Sequence, residues 1–173
     1  MSESNRFVAV LMGSDSDLPV MEATLEVLRN FELRYEVRVS SAHRTPDATR
    51  AYVKDAEARG CAVFVAAAGM AAHLAGAVAA LTTRPVIGVP IDAGPLKGMD
   101  ALLSTVQMPA GVPVASVAIG SAGAKNAAFL ATQMLALADA GLSERLRAER
   151  RVNAESIAAK DRALQEKLES DRA

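Results

Sequence analysis

Cysteine and histidine are scarce in this chain, and their scarcity limits the chemistry that it can perform. The 173 residues include one Cys and two His, which excludes an internal disulfide framework and a cysteine-rich metal site. A zinc site built on His43 and His73 would need carboxylates to complete it, and no H-E-x-x-H spacing occurs. We therefore expect no metal. Cys61 opens the apolar run CAVFVAAAG with no His near it in sequence, so we interpret it as a core residue rather than a nucleophile.

Aromatic residues, excess charge and long apolar runs are also lacking. Aromatics make up 3% of the chain, Trp is absent, and 19 Lys and Arg face 20 Asp and Glu. The chain therefore lacks the aromatic side chains on which bases stack and the net positive charge that attracts polyanions, and we expect no nucleic-acid partner. No eighteen consecutive residues are apolar, and the start MSESNRFVAVLMGS is unlike a signal peptide. We expect no membrane association and a cytoplasmic location.

Short apolar runs alternate with longer amphipathic patterns through most of the chain. This alternation predicts βαβ units, and hence a parallel sheet that helices cover on both faces. The expected fold is a three-layer α/β sandwich with about five strands in flavodoxin-like order and a C-terminal helical tail. The predicted strands are residues 6–12, 34–40, 62–67, 85–89 and 114–119. The predicted helices are residues 18–31, 46–60, 71–81, 99–106 and 122–138.

The helix expected over residues 46–60 has clear boundary signals. Thr45 can cap its first turn, Pro46 suits the first helical position, and Asp47 suits the positive end of the helix dipole. Gly60 then ends it.

The last part of the chain differs in composition from the rest. Fifteen of the last thirty-one residues are charged, and the apolar residues among them form an interrupted stripe. This pattern predicts one or two further helices, which either face solvent or pack on a neighbouring subunit. We assign residues 1–173 to a single domain, with an α/β core over residues 6–140 and a charged extension over residues 142–173.

Three loops follow the first three predicted strands: residues 13–19 (GSDSDLP), 40–46 (SSAHRTP) and 68–76 (AGMAAHLAG). Ligands of open parallel sheets bind outside the carboxyl ends of the strands. Because these loops hold both histidines and many small or polar residues, we expect them to form one binding rim.

The side chains of the first two loops suit a phosphorylated ligand. Ser14 and Ser16 can donate hydroxyls beside a helix N-terminus, and Arg44 can hold a phosphate in a fork of donors. Asp17 can accept hydrogen bonds from sugar hydroxyls, or it can serve as an ordinary helix cap. His43 can exchange a proton near neutral pH, although a structural role is an equal alternative.

Six motifs carry a resemblance to a known family. The chain resembles the bacterial-type 5-(carboxyamino)imidazole ribonucleotide mutases, the catalytic subunit of phosphoribosylaminoimidazole carboxylase, over about residues 7–139. The motifs are VLMGSDSD, VSSAHRTPD, AGMAAHLAG, PVIGVP, LLSTVQMPAGVPVA and NAAFLATQMLA, in family order and spacing. The resemblance implies a flavodoxin-like subunit of a homo-octamer with its sites at subunit contacts. It also implies movement of a carboxylate from the exocyclic nitrogen to ring carbon four of a ribonucleotide, without ATP, metal or organic cofactor.

The resemblance also implies roles for particular residues. His43 corresponds to the proton carrier, Asp17 to a ligand of the ribose hydroxyls, and Arg44 to a ligand of the phosphate. Ser16 and Ser41 assist Arg44, and Ser14 belongs to the same substrate-binding set. In the third loop, the substrate-binding residues implied are Ala68, Gly69, Ala71, His73 and Leu74.

The third loop is expected to provide small apolar walls around trapped carbon dioxide and backbone N–H groups for a carboxylate. The chain departs from the family pattern at two positions of this loop. Met70 stands where the pattern has Gly, and Ala75 stands where it has Pro.

Two alternative functions stay open. One is a direct carboxylase that adds carbon dioxide to aminoimidazole ribonucleotide on the same fold. The other is a nucleotide-binding module without turnover, and the presence of His43 argues against it.

Overall fold

The protein contains a five-stranded parallel sheet in the computed structural model, which describes residues 6–172. The strands are β1 (Phe7–Met12), β2 (Tyr35–Val39), β3 (Cys61–Gly69), β4 (Val86–Ile91) and β5 (Ala115–Ser116). Their spatial order is β2-β1-β3-β4-β5, and each neighbouring pair is parallel. This is the flavodoxin-like order, so the predicted fold class is confirmed.

Six α-helices accompany the sheet in the described part of the chain. They are α1 (Leu18–Asn30), α2 (Pro46–Ala58), α3 (Leu74–Ala79), α4 (Met99–Val106), α5 (Gly120–Ala136) and α6 (Ala140–Ser170). A short 3-10 turn, Asp15–Asp17, precedes α1. Each helix predicted in the core is present, and the tail forms one helix.

Helices cover both faces of the sheet. On one face, α1 contacts α5: Thr24 Oγ1 donates to the Ala124 carbonyl at 2.7 Å, and the rings of Phe31 and Phe129 meet edge to face. On the other face, α2 and α3 pack against alternate side chains of β1 and β3. That cluster includes Phe7, Leu11, Val53, Phe64, Leu74 and Val78, all buried. Successive side chains of a strand point to opposite faces of the sheet, so each apolar run contributes core residues to both helix layers.

Two predicted elements are much shorter in the structure, whereas the bounds of the others differ by at most two residues. The strand expected over residues 114–119 pairs with β4 only at Ala115 and Ser116. The helix expected over residues 71–81 begins only at Leu74 and ends at Ala79. The N–H groups of Ala72 and His73 donate to the carbonyls two residues earlier instead of continuing a helix, so the chain forms a loop before α3.

Thr45 occupies the predicted N-cap position of α2, but its side chain does not form the expected capping bond. Its hydroxyl accepts from the Ser41 N–H and donates to the Ser41 carbonyl, both at 3.1 Å, and makes no capping bond to α2. The other boundary signals are confirmed: Pro46 is the first helical residue, Asp47 lies in the first turn, and Gly60 follows the helix with φ of 105°.

The chain divides into two units between Met134 and Leu135. In the second unit, Asp139 caps α6 by accepting from the Leu142 N–H at 2.9 Å. Val152, Ile157, Leu164 and Leu168 on α6 are exposed. The assignment of one domain with a core over residues 6–140 stays a prediction. Between residues 6 and 172, no helix combines the length and the apolar character that a bilayer span requires.

Candidate active site

The loops that follow β1, β2 and β3 enclose one cavity of about 440 Å³. Its position at the carboxyl edge of the sheet is the one expected for a parallel α/β fold. Every site residue predicted from the sequence lines it, and four further residues complete the lining. The predicted residues are Ser14, Ser16, Asp17, Ser41, His43, Arg44, Ala68, Gly69, Ala71, His73 and Leu74. The additional residues are Gly13, Ala42, Met70 and Ala93.

Ala93 is the one lining residue that lies outside the three predicted loops. It follows β4, which lies beside β3 in the sheet. The sequence did contain a signal for Ala93: it follows the fourth predicted strand, whose carboxyl end reaches the same edge of the sheet as the three loops. The close approach of the two loops depends on Gly69, since a Cβ there would lie 2.7 Å from the Ala93 Cβ.

The first loop is held together by its own polar groups. The Ser14 N–H donates to Asp17 Oδ2 at 3.1 Å, and the Ser16 N–H donates to Ser14 Oγ at 3.3 Å. Asp17 is only 6% exposed, and burial is the main reason that its pKa is raised. The Asp17 carboxylate thus accepts a backbone hydrogen bond within the loop, which is the helix-capping role offered as one alternative from the sequence. It also lines the cavity.

The two histidines of the chain form a direct pair. His43 Nε2 lies 2.7 Å from His73 Nδ1, and the ring planes are inclined at 85°. One nitrogen must donate and the other must accept, so two imidazolium cations could not keep this bond. The pair can therefore carry one extra proton while it stays hydrogen-bonded.

Arg44 links the second loop to the first. Its backbone N–H and its Nε both donate to Ser41 Oγ, at 3.2 and 3.4 Å, and its Nη2 donates to the Gly13 carbonyl at 3.4 Å. Arg44 also lines an adjacent groove of about 400 Å³ beside Ser14 and Thr45. The guanidinium thus lies where the cavity and the groove meet, with further N–H donors for a ligand.

Two backbone N–H groups of the third loop are paired within the loop. The Ala72 N–H donates to the Met70 carbonyl, and the His73 N–H donates to the Ala71 carbonyl, both at 2.9 Å. The expectation that backbone N–H groups of this loop receive a carboxylate stays a prediction.

Cys61 lies outside the cavity lining. Its side chain is buried and its Sγ donates to the Val63 carbonyl at 3.3 Å. Burial raises the pKa of the thiol to about 12, so the thiolate is scarce at neutral pH. Its interpretation as a core residue is confirmed. Within residues 6–172, no three His, Cys, Asp or Glu side chains are grouped as metal ligands would be.

Comparisons with known proteins agree with this architecture. The family model described as AIR carboxylase matches residues 7–156. The N5-carboxyaminoimidazole ribonucleotide mutase of Mycobacterium tuberculosis is 54% identical over 158 residues, which cover 91% of this chain and 90% of that protein. The mutase of the same name from Thermotoga maritima is 55% identical over 130 residues, 75% of each chain. The crystal structure of Treponema denticola PurE superposes with a TM-score of 0.82 at 30% identity, covering 90% of this chain and 96% of that chain. The chain belongs to the AIR carboxylase family.

Proposed function

We propose that this protein catalyses the N5-carboxyaminoimidazole ribonucleotide mutase reaction of purine biosynthesis. It converts 5-carboxyamino-1-(5-phosphoribosyl)imidazole into 5-amino-1-(5-phosphoribosyl)imidazole-4-carboxylate. The observation that carries the proposal is the single cavity that holds both the His43–His73 pair and the Arg44 guanidinium. A proton carrier and an anion ligand then lie within reach of one small molecule. Relatives that are named as this mutase and are 54 to 55% identical support the assignment.

In this proposal Arg44 binds the 5′-phosphate with the help of Ser41 and Ser16. The Arg44 guanidinium presents several N–H donors, and hydrogen bonds between it and a phosphate are charge-assisted. Ser41 already contacts Arg44, and Ser16 lines the same cavity from the first loop. Arg44 and Ser41 also line the adjoining groove.

Asp17 and Ser14 bind the ribose. A buried carboxylate with an oxygen facing the cavity is a strong acceptor for sugar hydroxyls. Its partner Ser14 supplies a hydroxyl of its own on the same wall.

His43 moves the proton that the rearrangement requires. When the carboxyamino C–N bond breaks, carbon dioxide leaves and the nitrogen gains a proton. Ring carbon four then attacks carbon dioxide, and the proton on that carbon must leave. One proton is delivered and one is recovered, so a histidine pair that holds a single extra proton suits the task.

Carbon dioxide stays beside the ring between the two steps because apolar groups of the third loop confine it. Ala68, Ala71 and Leu74 line that part of the cavity. They offer carbon dioxide no nucleophile, and their side chains offer no hydrogen bond to water. No ATP, metal or organic cofactor takes part.

We further propose that the enzyme is a homo-octamer with its sites at subunit contacts, and that it works in the cytoplasm. The surface supports an interface, since Met99, Leu103 and Val106 on α4 are 52%, 51% and 48% exposed and occupy positions i, i+4 and i+7. An exposed apolar stripe along one helix is typical of a surface that contacts another protein subunit. A phosphorylated substrate is also confined to the compartment in which it is made, because charged groups cross bilayers poorly.

The assay supplies each candidate substrate in turn without ATP and follows the ultraviolet absorbance of the product. Turnover of the carboxyamino nucleotide that is independent of added bicarbonate supports the mutase. Turnover of aminoimidazole ribonucleotide that needs bicarbonate identifies the direct carboxylase instead. Binding of either nucleotide without turnover identifies the non-catalytic module.

A further inference from the structure

Met70 occupies an unfavourable backbone conformation at the wall of the cavity. Its φ is 55°, and among the residues described here only Glu32 and Lys97 are other non-glycine residues with positive φ. A side chain with a Cβ disfavours this region, whereas glycine enters it freely. The fold therefore bears a conformational cost to keep a methionine at a position where the family pattern has glycine.

The Met70 side chain extends from the loop after β3 toward the loop after β4. A Cβ placed on Gly94 would lie 3.5 Å from Met70 Cγ and 3.9 Å from Met70 Sδ. The thioether therefore lies over Gly94, which has no side chain of its own. Because Ala93 lines the cavity beside it, Met70 spans the gap between two walls of the site.

Met70 differs from the other apolar groups around the cavity. Ala68, Ala71 and Ala93 are short, and Leu74 is buried, whereas Met70 is 56% exposed. An unbranched thioether has several rotatable bonds and adapts to irregular surfaces. Met70 can therefore cover or uncover this side of the cavity without adding a charge or a strong hydrogen-bonding group.

We propose that Met70 covers the apolar side of the cavity and retains carbon dioxide between decarboxylation and recarboxylation. This inference rests on the proposed function. In the first step the C–N bond of the carboxyamino group breaks, carbon dioxide is released and the nitrogen is protonated. In the second step a C–C bond forms at ring carbon four and the proton of that carbon leaves. Escape of carbon dioxide between these steps leaves free aminoimidazole ribonucleotide, so retention decides how much substrate becomes product.

The test measures label retention. The carboxyamino nucleotide carries ¹³C in its carboxylate, the buffer contains unlabelled bicarbonate, and the product is analysed by mass spectrometry. In Met70→Gly, we expect the unlabelled fraction of the product, together with free aminoimidazole ribonucleotide, to rise roughly threefold or more because the cover is removed. Met70→Leu keeps apolar bulk at the same position, so its label retention should stay near that of the unmodified protein.

Glu32→Gly is the matched control, because Glu32 has the same φ of 55° and lies outside the cavity lining. Both glycine variants relieve the same backbone strain and should keep or slightly raise the melting temperature. Equal label retention in Met70→Gly and the unmodified protein would overturn the inference, as would equal loss in Glu32→Gly or in Met70→Leu. Failure of the unmodified protein to convert the labelled nucleotide would instead overturn the proposed function.

Discussion

His43 Nε2 is hydrogen-bonded to His73 Nδ1 at 2.7 Å, although the two residues are 30 positions apart in the chain. His43 follows β2 and His73 directly precedes α3, so the contact depends on the placement of β1 between β2 and β3. The orientation of either ring, and which of the two bonded nitrogens donates, are therefore tied to those of the other.

Replacement of His43 by asparagine should abolish conversion while ligand affinity changes by less than about tenfold. The amide keeps polarity and approximate size but cannot exchange a proton near neutral pH. Product formation and nucleotide binding, the latter by calorimetry, are measured on the same preparation. Activity equal to that of the unmodified protein would contradict the role of His43.

Replacement of His73 separates a structural contact from a contribution to proton transfer. His73→Asn keeps an acceptor near the position of Nδ1, whereas His73→Leu removes it. We expect His73→Leu to lose roughly ten- to a hundredfold in kcat and to alter the pH profile, and His73→Asn to retain more activity. Indistinguishable pH profiles in both variants and the unmodified protein would show that His43 acts without its partner.

Replacement of Arg44 by alanine should chiefly weaken binding. Loss of a charge-assisted phosphate contact is expected to raise KM by roughly ten- to a hundredfold with a smaller change in kcat. Arg44→Lys keeps the charge but not the fork of donors, so its KM should be intermediate. Steady-state kinetics with the phosphorylated substrate test this, and an unchanged KM in Arg44→Ala would exclude the phosphate role.

Replacement of Asp17 by asparagine should separate stability from binding. Burial raises the pKa of Asp17 in the folded state, so the folded protein binds more protons than the unfolded chain at pH values just above the ordinary aspartate range. The free energy of unfolding therefore falls as pH rises through that range. At pH 7 the Asp17→Asn variant should melt at a higher temperature than the unmodified protein, because a neutral amide avoids the cost of burying a charge, and the gain should shrink as the pH is lowered toward 4.

The same Asp17→Asn variant should bind the nucleotide more weakly, because an amide is a poorer acceptor for ribose hydroxyls than a carboxylate. Glu26→Gln on α1 is the control, since Glu26 is exposed and outside the cavity. It should change neither melting temperature nor affinity. The difference in melting temperature between Asp17→Asn and the unmodified protein is measured at pH 7 and at pH 4. A smaller gain at pH 7 than at pH 4 would refute the argument from burial.

Periodicity was sufficient to predict the layers of the fold but not the ends of every element. Runs such as residues 7–12 are apolar throughout because both faces of the strand are covered, and such a run can be recognised in the sequence alone. The length of β5 depends instead on its pairing with β4, where it meets only Ile87 and Gly88. The start of α3 depends on the loop before it, where Met70 is left-handed and the Ala72 and His73 N–H groups bond within the loop, and no local pattern indicates this arrangement.

The candidate site was predictable to the level of its loops. The rule that ligands bind at the carboxyl ends of parallel strands selected the three loops, and the individual residues within them came from their side-chain chemistry and from the family resemblance. Contacts between side chains from different loops were beyond that rule. The His43–His73 bond and the approach of Gly69 to Ala93 follow from strand order and register, which are properties of the assembled sheet.

The contacts of Arg44 have an entropic consequence for binding. Its guanidinium is already tethered to Ser41 and to the Gly13 carbonyl before any ligand arrives. An arginine that is free in solution loses side-chain rotamer entropy when it grips an anion, and that loss weakens affinity. Here those contacts already favour one arrangement of the side chain, so less rotamer entropy remains to be lost on binding, and a larger share of the ordering cost falls on the nucleotide.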